Sequence, residues 1–410
     1  MSFSAAALKS KFITFTQIFM LLFIFLSAGY FFPEVSSTGP YLSHTLHAKL
    51  TGGDAVSDST VWDVYGTDLG IIVKHNSKYH YIFGDTFGNK SGLNWRSNVM
   101  AYSTDTDPSN GITIDGWIPS PLNGYAGELI SSLKIDYIEM TSIPSAALSY
   151  NGNMYIFYMS VRHWGSVGGV WQSNNASIAV STDNGYNFAK MSNISWAGTS
   201  NFVQFAFVQN QGSLNESDTN FYFLATPAGR YGACYLCRVD RDSLLDQAAY
   251  EYCTGTDVLS APIWSSDHSA AVAIFPSDVG ELSVMWNEYL QKWTAFYFDN
   301  SEFDIVVRTA DDLWGPWDAP LPIVGGVEYP SLYGSYVHPD FVENSGEIVY
   351  FIMSKFDVYN TFVLSVNLNL TEPSTTVPSF SLEVTFSTIL ICGFLISYAV
   401  SYTHLRAHET

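Results

Sequence analysis

Between about residues 50 and 370, apolar and polar positions alternate with a period of two in short runs, broken by Gly, Asn, Asp or Pro. Such alternation gives a strand one buried face and one wetter face. Five of the runs are strongly aromatic: Tyr81-Ile-Phe-Gly-Asp85, Tyr155-Ile-Phe-Tyr-Met159, Phe221-Tyr-Phe-Leu-Ala225, Thr294-Ala-Phe-Tyr-Phe298 and Val349-Tyr-Phe-Ile-Met353. Their starts are 74, 66, 73 and 55 residues apart. A second alternating segment follows each one, at 98–103, 176–181, 231–240, 304–309 and 361–365. Asn151-Gly152 and Asn184-Gly185 supply the residue types that tight hairpins need. Helical periodicity is nearly absent, with 243–249 the best short candidate. Short strands recurring in units of regular length predict an all-β fold, a five-bladed β-propeller over residues 48–370. A two-sheet sandwich is the alternative, and the repeat argues against it.

The chain outside this body has a different pattern. Lys9 and Lys11 precede an uncharged stretch, 12–33, followed in its later part by Ser27, Ala28 and Gly29. Residues 1–32 therefore read as a signal peptide or an uncleaved signal-anchor, which places the body in the secretory pathway, extracellular or at the cell surface. Residues 371–383 are rich in Ser, Thr and Pro, as in a stalk. Residues 384–400 are nearly all apolar, as in a membrane span or the tail of a lipid-anchor signal. Residues 401–410 read as translated sequencing-adapter sequence, so His404 and His408 carry no function. Five N-x-[ST] sequons, at Asn89, Asn175, Asn193, Asn215 and Asn369, agree with a translocated glycoprotein.

Composition narrows the function classes. The 410 residues include 17 Lys and Arg against 38 Asp and Glu, a net charge of −21, yet only 13% are charged and 16% are aromatic. A disordered acidic chain would lack aromatics. A nucleic-acid binder needs clustered cations, which seven Arg and ten Lys spread over the chain do not supply. Four cysteines are too few for a disulfide scaffold. Cys234 and Cys237 form a C-x-x-C without a thioredoxin-like βαβ context or a second zinc-ligand pair. They read as structural strand residues, with Cys253 near enough in sequence to pair with one of them.

In a propeller the innermost strand of each unit lines the central channel, so polar residues there are site candidates. The segments preceding the aromatic strands present Asp68, Glu139, Gln204, Glu281 and His338. The first unit is denser, adding Asp85 in Phe83-Gly-Asp-Thr-Phe87 and then Trp95-Arg-Ser-Asn98. Two carboxylates at one channel mouth are what glycosidic cleavage uses: one protonates the leaving oxygen, and the other acts as base or nucleophile. Arg96 beside them would hold a carboxylate ionised or bind hydroxyls. Each residue also has a plainer reading. Asp85 before Thr86 fits a turn cap, and Asp68 fits a loop tie. Glu139 and Glu281 fit substrate contact or hydrogen bonding between blades, and His338 before Pro339 fits a ligand contact or a satisfied buried group. Trp62, Trp164 and Trp171 fit core as well as platform. The stretch 181–188 has Asp-box spacing, which makes Asp183 a turn residue. No loop has specific metal-ligand spacing, and Ca²⁺ on channel carboxylates is the only cofactor that the residue types allow.

Several motifs in order then identify a family resemblance: Gly66-Thr-Asp-Leu-Gly70, Phe83-Gly-Asp-Thr-Phe87, Trp95-Arg-Ser-Asn98, Thr141-Ser-Ile-Pro144, Met159-Ser-Val161 with Trp164, Thr226-Pro-Ala-Gly-Arg230, Tyr250-Glu-Tyr252, Gly280-Glu-Leu-Ser283 and Gly315-Pro-Trp317. Together, over about residues 50–368, they resemble domain-of-unknown-function family 4185. Some of its members are classed as glycoside hydrolase family 183, endo-D-arabinanases on a five-bladed propeller that cut D-arabinofuranose chains. The resemblance implies Asp68 and Asp85 as the catalytic pair. It also implies a cleft lined by Trp95, Arg96, Asn98, Glu139, Thr141, Trp164, Gln204, Arg230, Glu281 and His338.

The expectation is a monomeric glycoside hydrolase, secreted or anchored through its terminal hydrophobic segments and acting on a polysaccharide or glycoconjugate. A catalytically silent carbohydrate-binding propeller or adhesin is the alternative. A sialidase is a third reading. It requires three channel arginines, for which Arg96, Arg162, Arg230 and Arg308 are the available candidates.

Overall fold

The computed structural model describes residues 41–89, 94–209 and 217–369. The expected signal segment, stalk, C-terminal hydrophobic segment and adapter-like tail lie outside the described residues, as does Asn215. Among the described residues no helix is long and apolar enough to cross a membrane.

The described residues form 22 strands and five short 3-10 turns. The aromatic runs and their partners pair as antiparallel neighbours at all five positions: Lys78–Phe87 with Val99–Ser103, Asn153–Trp164 with Trp171–Ser181, Asn220–Thr226 with Gly232–Asp240, Lys292–Asp299 with Asp304–Ala310, and Ile348–Lys355 with Asn360–Asn367. The segments picked as innermost become Gly66–His75, Thr141–Tyr150, Gln204–Gln209, Phe275–Asn287 and Leu332–Glu343. Each pairs with its own aromatic strand. These five inner strands also neighbour one another in a closed sequence, the last returning to the first. The third and fourth runs are hydrogen-bonded into one nine-stranded sheet through a short parallel pairing, Val208 with Val284 and Gln209 with Met285. The 243–249 candidate resolves into two 3-10 turns, Arg241–Ser243 and Gln247–Ala249, capped by Asp240 and Asp246.

Closure of the ring comes from the start of the chain. His44–Lys49 adds to the outer edge of Asn360–Asn367, pairing His44 with Val366 and Lys49 with Phe362. This strand consumes an edge that would otherwise present open backbone groups.

Aromatic side chains fill the space between sheets. Phe157 lies 4.6 Å from Phe223, and Phe202 lies 4.6 Å from Tyr252. Trp196 donates to the Tyr252 hydroxyl at 2.7 Å, so a buried polar edge is satisfied inside the apolar layer. The predicted Asp box forms as a turn. Ser181 donates to Asp183 at 2.7 Å, and Asp183 accepts from the Asn187 backbone and side chain at 2.9 and 2.7 Å.

Cys234 and Cys237 are strand residues as expected, within Gly232–Asp240, but neither is paired with Cys253. Cys234, Cys237 and Cys253 are buried and free. Cys234 shares one core cluster with Cys253, whereas Cys237 packs in another. Three residues apart on one strand, the two thiols of the C-x-x-C point to opposite faces.

One irregularity positions the site. Between Thr67·Thr86 and Leu69·Phe83 the register shifts, so Gly84 and Asp85 together oppose the single residue Asp68. Leu69 follows with φ of 68°, a left-handed conformation costly for a branched side chain. Ser354, fully buried on the neighbouring run, donates structure to this bulge by accepting from the Leu69 N–H at 2.8 Å. Ser354→Ala strands that amide and should lower stability by about 1–3 kcal/mol, read as a lower urea midpoint with unchanged slope.

Candidate functional site

A cavity of about 870 Å³ opens at the end of the ring where the bulge lies. Asp68 and Asp85 share its floor, on adjacent strands of the first sheet. Asp68 lies opposite Gly84 and Asp85 in the bulge, and at the neighbouring pair the Thr67 and Thr86 hydroxyls bond at 2.6 Å. The absence of a side chain at Gly84 makes room for Asp68. A Cβ there would lie 2.4 Å from Asp68 Oδ1.

The two carboxyls differ in environment. Tyr333 donates to Asp68 Oδ2 at 2.8 Å, while Oδ1 is buried without a partner. Burial pushes the Asp68 carboxyl up to about 7; the nearby Asp85 and Glu281 add to the rise, and Tyr333 and Arg230 oppose it. Asp85 Oδ1 accepts from Thr141 at 2.6 Å and from the Trp95 indole at 2.8 Å. Burial raises Asp85 to about 6, and these two donors hold it from rising further. Two neighbouring acids, separated by the hydrogen bonds each receives, can divide into a proton donor and a base or nucleophile.

Opposite them, Arg230 grips Glu281 through Nε at 3.1 Å to both oxygens and through Nη2 at 2.7 Å. Its guanidinium also lies 4.8 Å from the Tyr333 ring centre and 5.3 Å from that of Phe298. With both faces near aromatics and its fork occupied, Arg230 is a fixed part of the wall. Gln204 donates to the Thr226 hydroxyl at 3.1 Å, and to the carbonyls of Pro227 and Gly229 at 3.0 and 2.8 Å. It thereby shapes the loop that delivers Arg230.

Six of the twelve expected site residues line this cavity: Asp68, Asp85, Trp164, Gln204, Arg230 and Glu281. Trp95 and Thr141 stand behind Asp85 as its donors. Four others, expected in the cleft, do not line it. Arg96 donates to the carbonyls of Ala126 and Asp63 at 3.0 and 2.5 Å, fastening loops beside the first sheet. Asn98 is fully buried and bonds the backbone of Leu129, Ile130 and Ser142. Glu139 turns away to Lys190 at 3.0 Å and Ser160 at 3.1 Å. His338 is buried against Tyr79, where burial pushes its imidazole down to about 4. Polar side chains with such dense local demands are drawn to backbone partners before they can face a channel.

Sequence reasoning missed Tyr333, Tyr336, Phe298 and Tyr359. For Phe298 the signal lies in the aromatic alternation of Thr294-Ala-Phe-Tyr-Phe298, and for Tyr333 and Tyr336 in the tyrosines of Leu332-Tyr333-Gly334-Ser335-Tyr336. Among the sequons, Asn89 and Asn193 are exposed, and Asn175 and Asn369 are half-buried. Among the described residues no group of three or more His, Cys, Asp or Glu is placed to hold a metal ion.

The arrangement of sheets around a cavity recurs in solved proteins. A Bacteroides ovatus protein proposed to be a hydrolase shares the fold at TM-score 0.51 and 13% identity, over 74% of this chain and 86% of that one. A Xanthomonas citri enzyme of glycoside hydrolase family 43 is similar at TM-score 0.45 and 10% identity, covering 78% and 95% of the two chains. A family 43 β-xylosidase/α-arabinofuranosidase from a compost metagenome, solved with xylotriose, is similar at 0.46 and 13%, covering 83% and 98%. No curated protein matches the chain. The family described as domain of unknown function DUF4185 matches residues 55–365, and the chain belongs to that family.

The raised Asp68 carboxyl sets a pH dependence of stability. Folded Asp68 stays neutral up to about 7, whereas the unfolded group ionises near 3.9. The unfolded chain therefore gives up the proton first, and stability is lost as pH rises from about 4 to about 7. Asp68→Asn removes this component. The melting temperature of the variant relative to the parent should therefore be more favourable at pH 8 than at pH 4.5. An equal difference at both pH values would contradict a buried, raised Asp68.

Proposed function

We propose that the protein is a glycoside hydrolase built as a five-bladed propeller, with Asp68 as proton donor and Asp85 as base or nucleophile. The observation that carries this reading is the meeting of two raised carboxyls, at a bulge between adjacent strands, in the lining of one cavity. The five antiparallel runs and the closed sequence of inner strands support five blades. Asp68, with the higher value, is protonated at the pH where Asp85 is ionised, as an acid and its partner must be.

The substrate follows from the family resemblance: a furanosidic glycan, cut in the manner of an endo-D-arabinanase. The wall suits a neutral sugar. Among the described residues Arg230 is the only cationic side chain lining the cavity, and Glu281 occupies its fork. A sialidase would need three arginines turned toward a substrate carboxylate. We place the enzyme in the secretory pathway, extracellular or at the cell surface and acting as a monomer, on the strength of the terminal hydrophobic segments and the sequons. A carbohydrate-binding protein without turnover would keep the wall but have no use for two raised acids.

Asp68→Asn and Asp85→Asn should each reduce release of reducing ends from D-arabinan by about 10²–10⁴-fold without loss of fold. In the parent, kcat/KM should peak between pH 6 and 7, with the limbs belonging to the pair. Retention of full activity by both variants would remove the carboxylates from the chemistry.

A further inference from the structure

The cavity has two storeys of different chemistry. Its floor carries the polar groups: Asp68, Asp85, Glu281, Arg230 and the Tyr333 hydroxyl. Its mouth is ringed by apolar side chains from several sheets, each exposed: Trp164 at 37%, Val167 at 58%, Tyr231 at 49%, Phe303 at 57% and Phe356 at 68%. Three of these are outer rings standing edge-on to an inner ring of the wall. Trp164 meets Trp171 at 5.5 Å and 70°, Phe303 meets Phe298 at 6.3 Å and 67°, and Phe356 meets Tyr359 at 6.0 Å and 83°. The outer rings are thereby held upright with apolar surface in water, an arrangement that monomeric proteins seldom keep as a contiguous patch without a ligand or partner.

Sugar hydroxyls need hydrogen-bond partners, and burial without them is costly. The floor supplies most such partners, and the rim adds few beyond the Trp164 indole N–H. Phe303, Phe356 and Val167 have no polar side-chain atom, and the Tyr231 hydroxyl already donates to the Gly168 carbonyl at 3.2 Å. An anionic group at the floor would face Asp68, Asp85 and Glu281 with Arg230 already engaged.

We propose that the ligand is a neutral glycoside with an apolar aglycone, an alkyl or acyl chain: the sugar meets the floor carboxyls and the chain lies among Trp164, Val167, Phe303 and Phe356. The inference rests on the glycosidase reading for the position of the sugar, and on the mouth alone for the aglycone. One continuous cavity joins the two storeys, so one ligand covers both.

The test uses the full chain carrying Asp68→Asn, titrated with methyl, butyl and octyl α-D-arabinofuranosides below the micellar concentration and read by tryptophan fluorescence. Each methylene buried should tighten binding about fourfold. The octyl glycoside should therefore bind at least about a hundredfold tighter than the methyl one. Adding Phe303→Ala and Phe356→Ala should collapse this ratio toward one, while Leu122→Ala, at an exposed apolar position outside the cavity, should keep it. A ratio near one before those changes, or one that survives both, overturns the proposal. The unsubstituted chain separates the two readings. A large octyl-to-methyl ratio without cleavage of any glycoside ends the glycosidase reading and keeps the apolar-ligand one. Cleavage of methyl and octyl glycosides with equal KM does the reverse.

Discussion

The pairing of His44–Lys49 with Asn360–Asn367 is the constraint on which the site depends. It ties together segments more than 300 residues apart, at a substantial cost in chain entropy. In return it fixes the last run of strands to the chain that leads directly into the first. Tyr333 belongs to that last run and Asp68 to the first, so their 2.8 Å hydrogen bond spans the seam. So does the bond from Leu69 to Ser354. Were the seam to open, the bulge would lose its support and Asp68 would lose its one hydrogen-bond donor. The geometry of the carboxyl pair is thus set by the longest-range contact in the body, whereas the pairings within each run are local and form independently.

The strands were legible because their chemistry is local. Period-two alternation with aromatic residues marked all five inner pairs, and the Asp box announced its own turn. The positions of Asp68 and Asp85 were legible for the same reason, since both lie on strands that pair within one unit. What the sequence left hidden depends on the third dimension. Arg96, beside Trp95, looked like a partner for the carboxylates, but the carbonyls of Ala126 and Asp63 take its hydrogen bonds. Asn98 looked like a sugar contact and instead satisfies four backbone groups, of Leu129, Ile130 and Ser142. Glu139 found Lys190, which no spacing rule links to it. The bulge was equally invisible, because nothing in the letters of Gly84 and Asp85 says that both must face one residue.

The electrostatics of the floor show how a fold poor in charge can still hold acids apart. The body places few cations near the cavity, so burial acts on the carboxyls with little relief. Asp85 is partly compensated by two neutral donors, Thr141 and Trp95, and Asp68 by one, Tyr333. That difference in hydrogen bonding acts together with the neighbouring carboxylates, Asp85 and Glu281, which push Asp68 further up. Arg230 opposes the rise of Asp68, while its fork is given to Glu281. The overall net charge of −21 therefore says little about the site. The arrangement of a few uncharged donors says more.

The three buried thiols carry a consequence of their own. Cys234, Cys237 and Cys253 are enclosed in apolar layers, and burial raises each thiol above its ordinary value. The thiolate is the reactive species, so these sulfurs are shielded twice, by access and by protonation. Among the described residues no cross-link joins them. Cys237 sits in the aromatic layer between the second and third runs, and Cys234 and Cys253 in the next layer round. Each sulfur becomes reactive only when its layer parts, so Cys237 reports the opening of one layer and Cys234 and Cys253 together report that of the next.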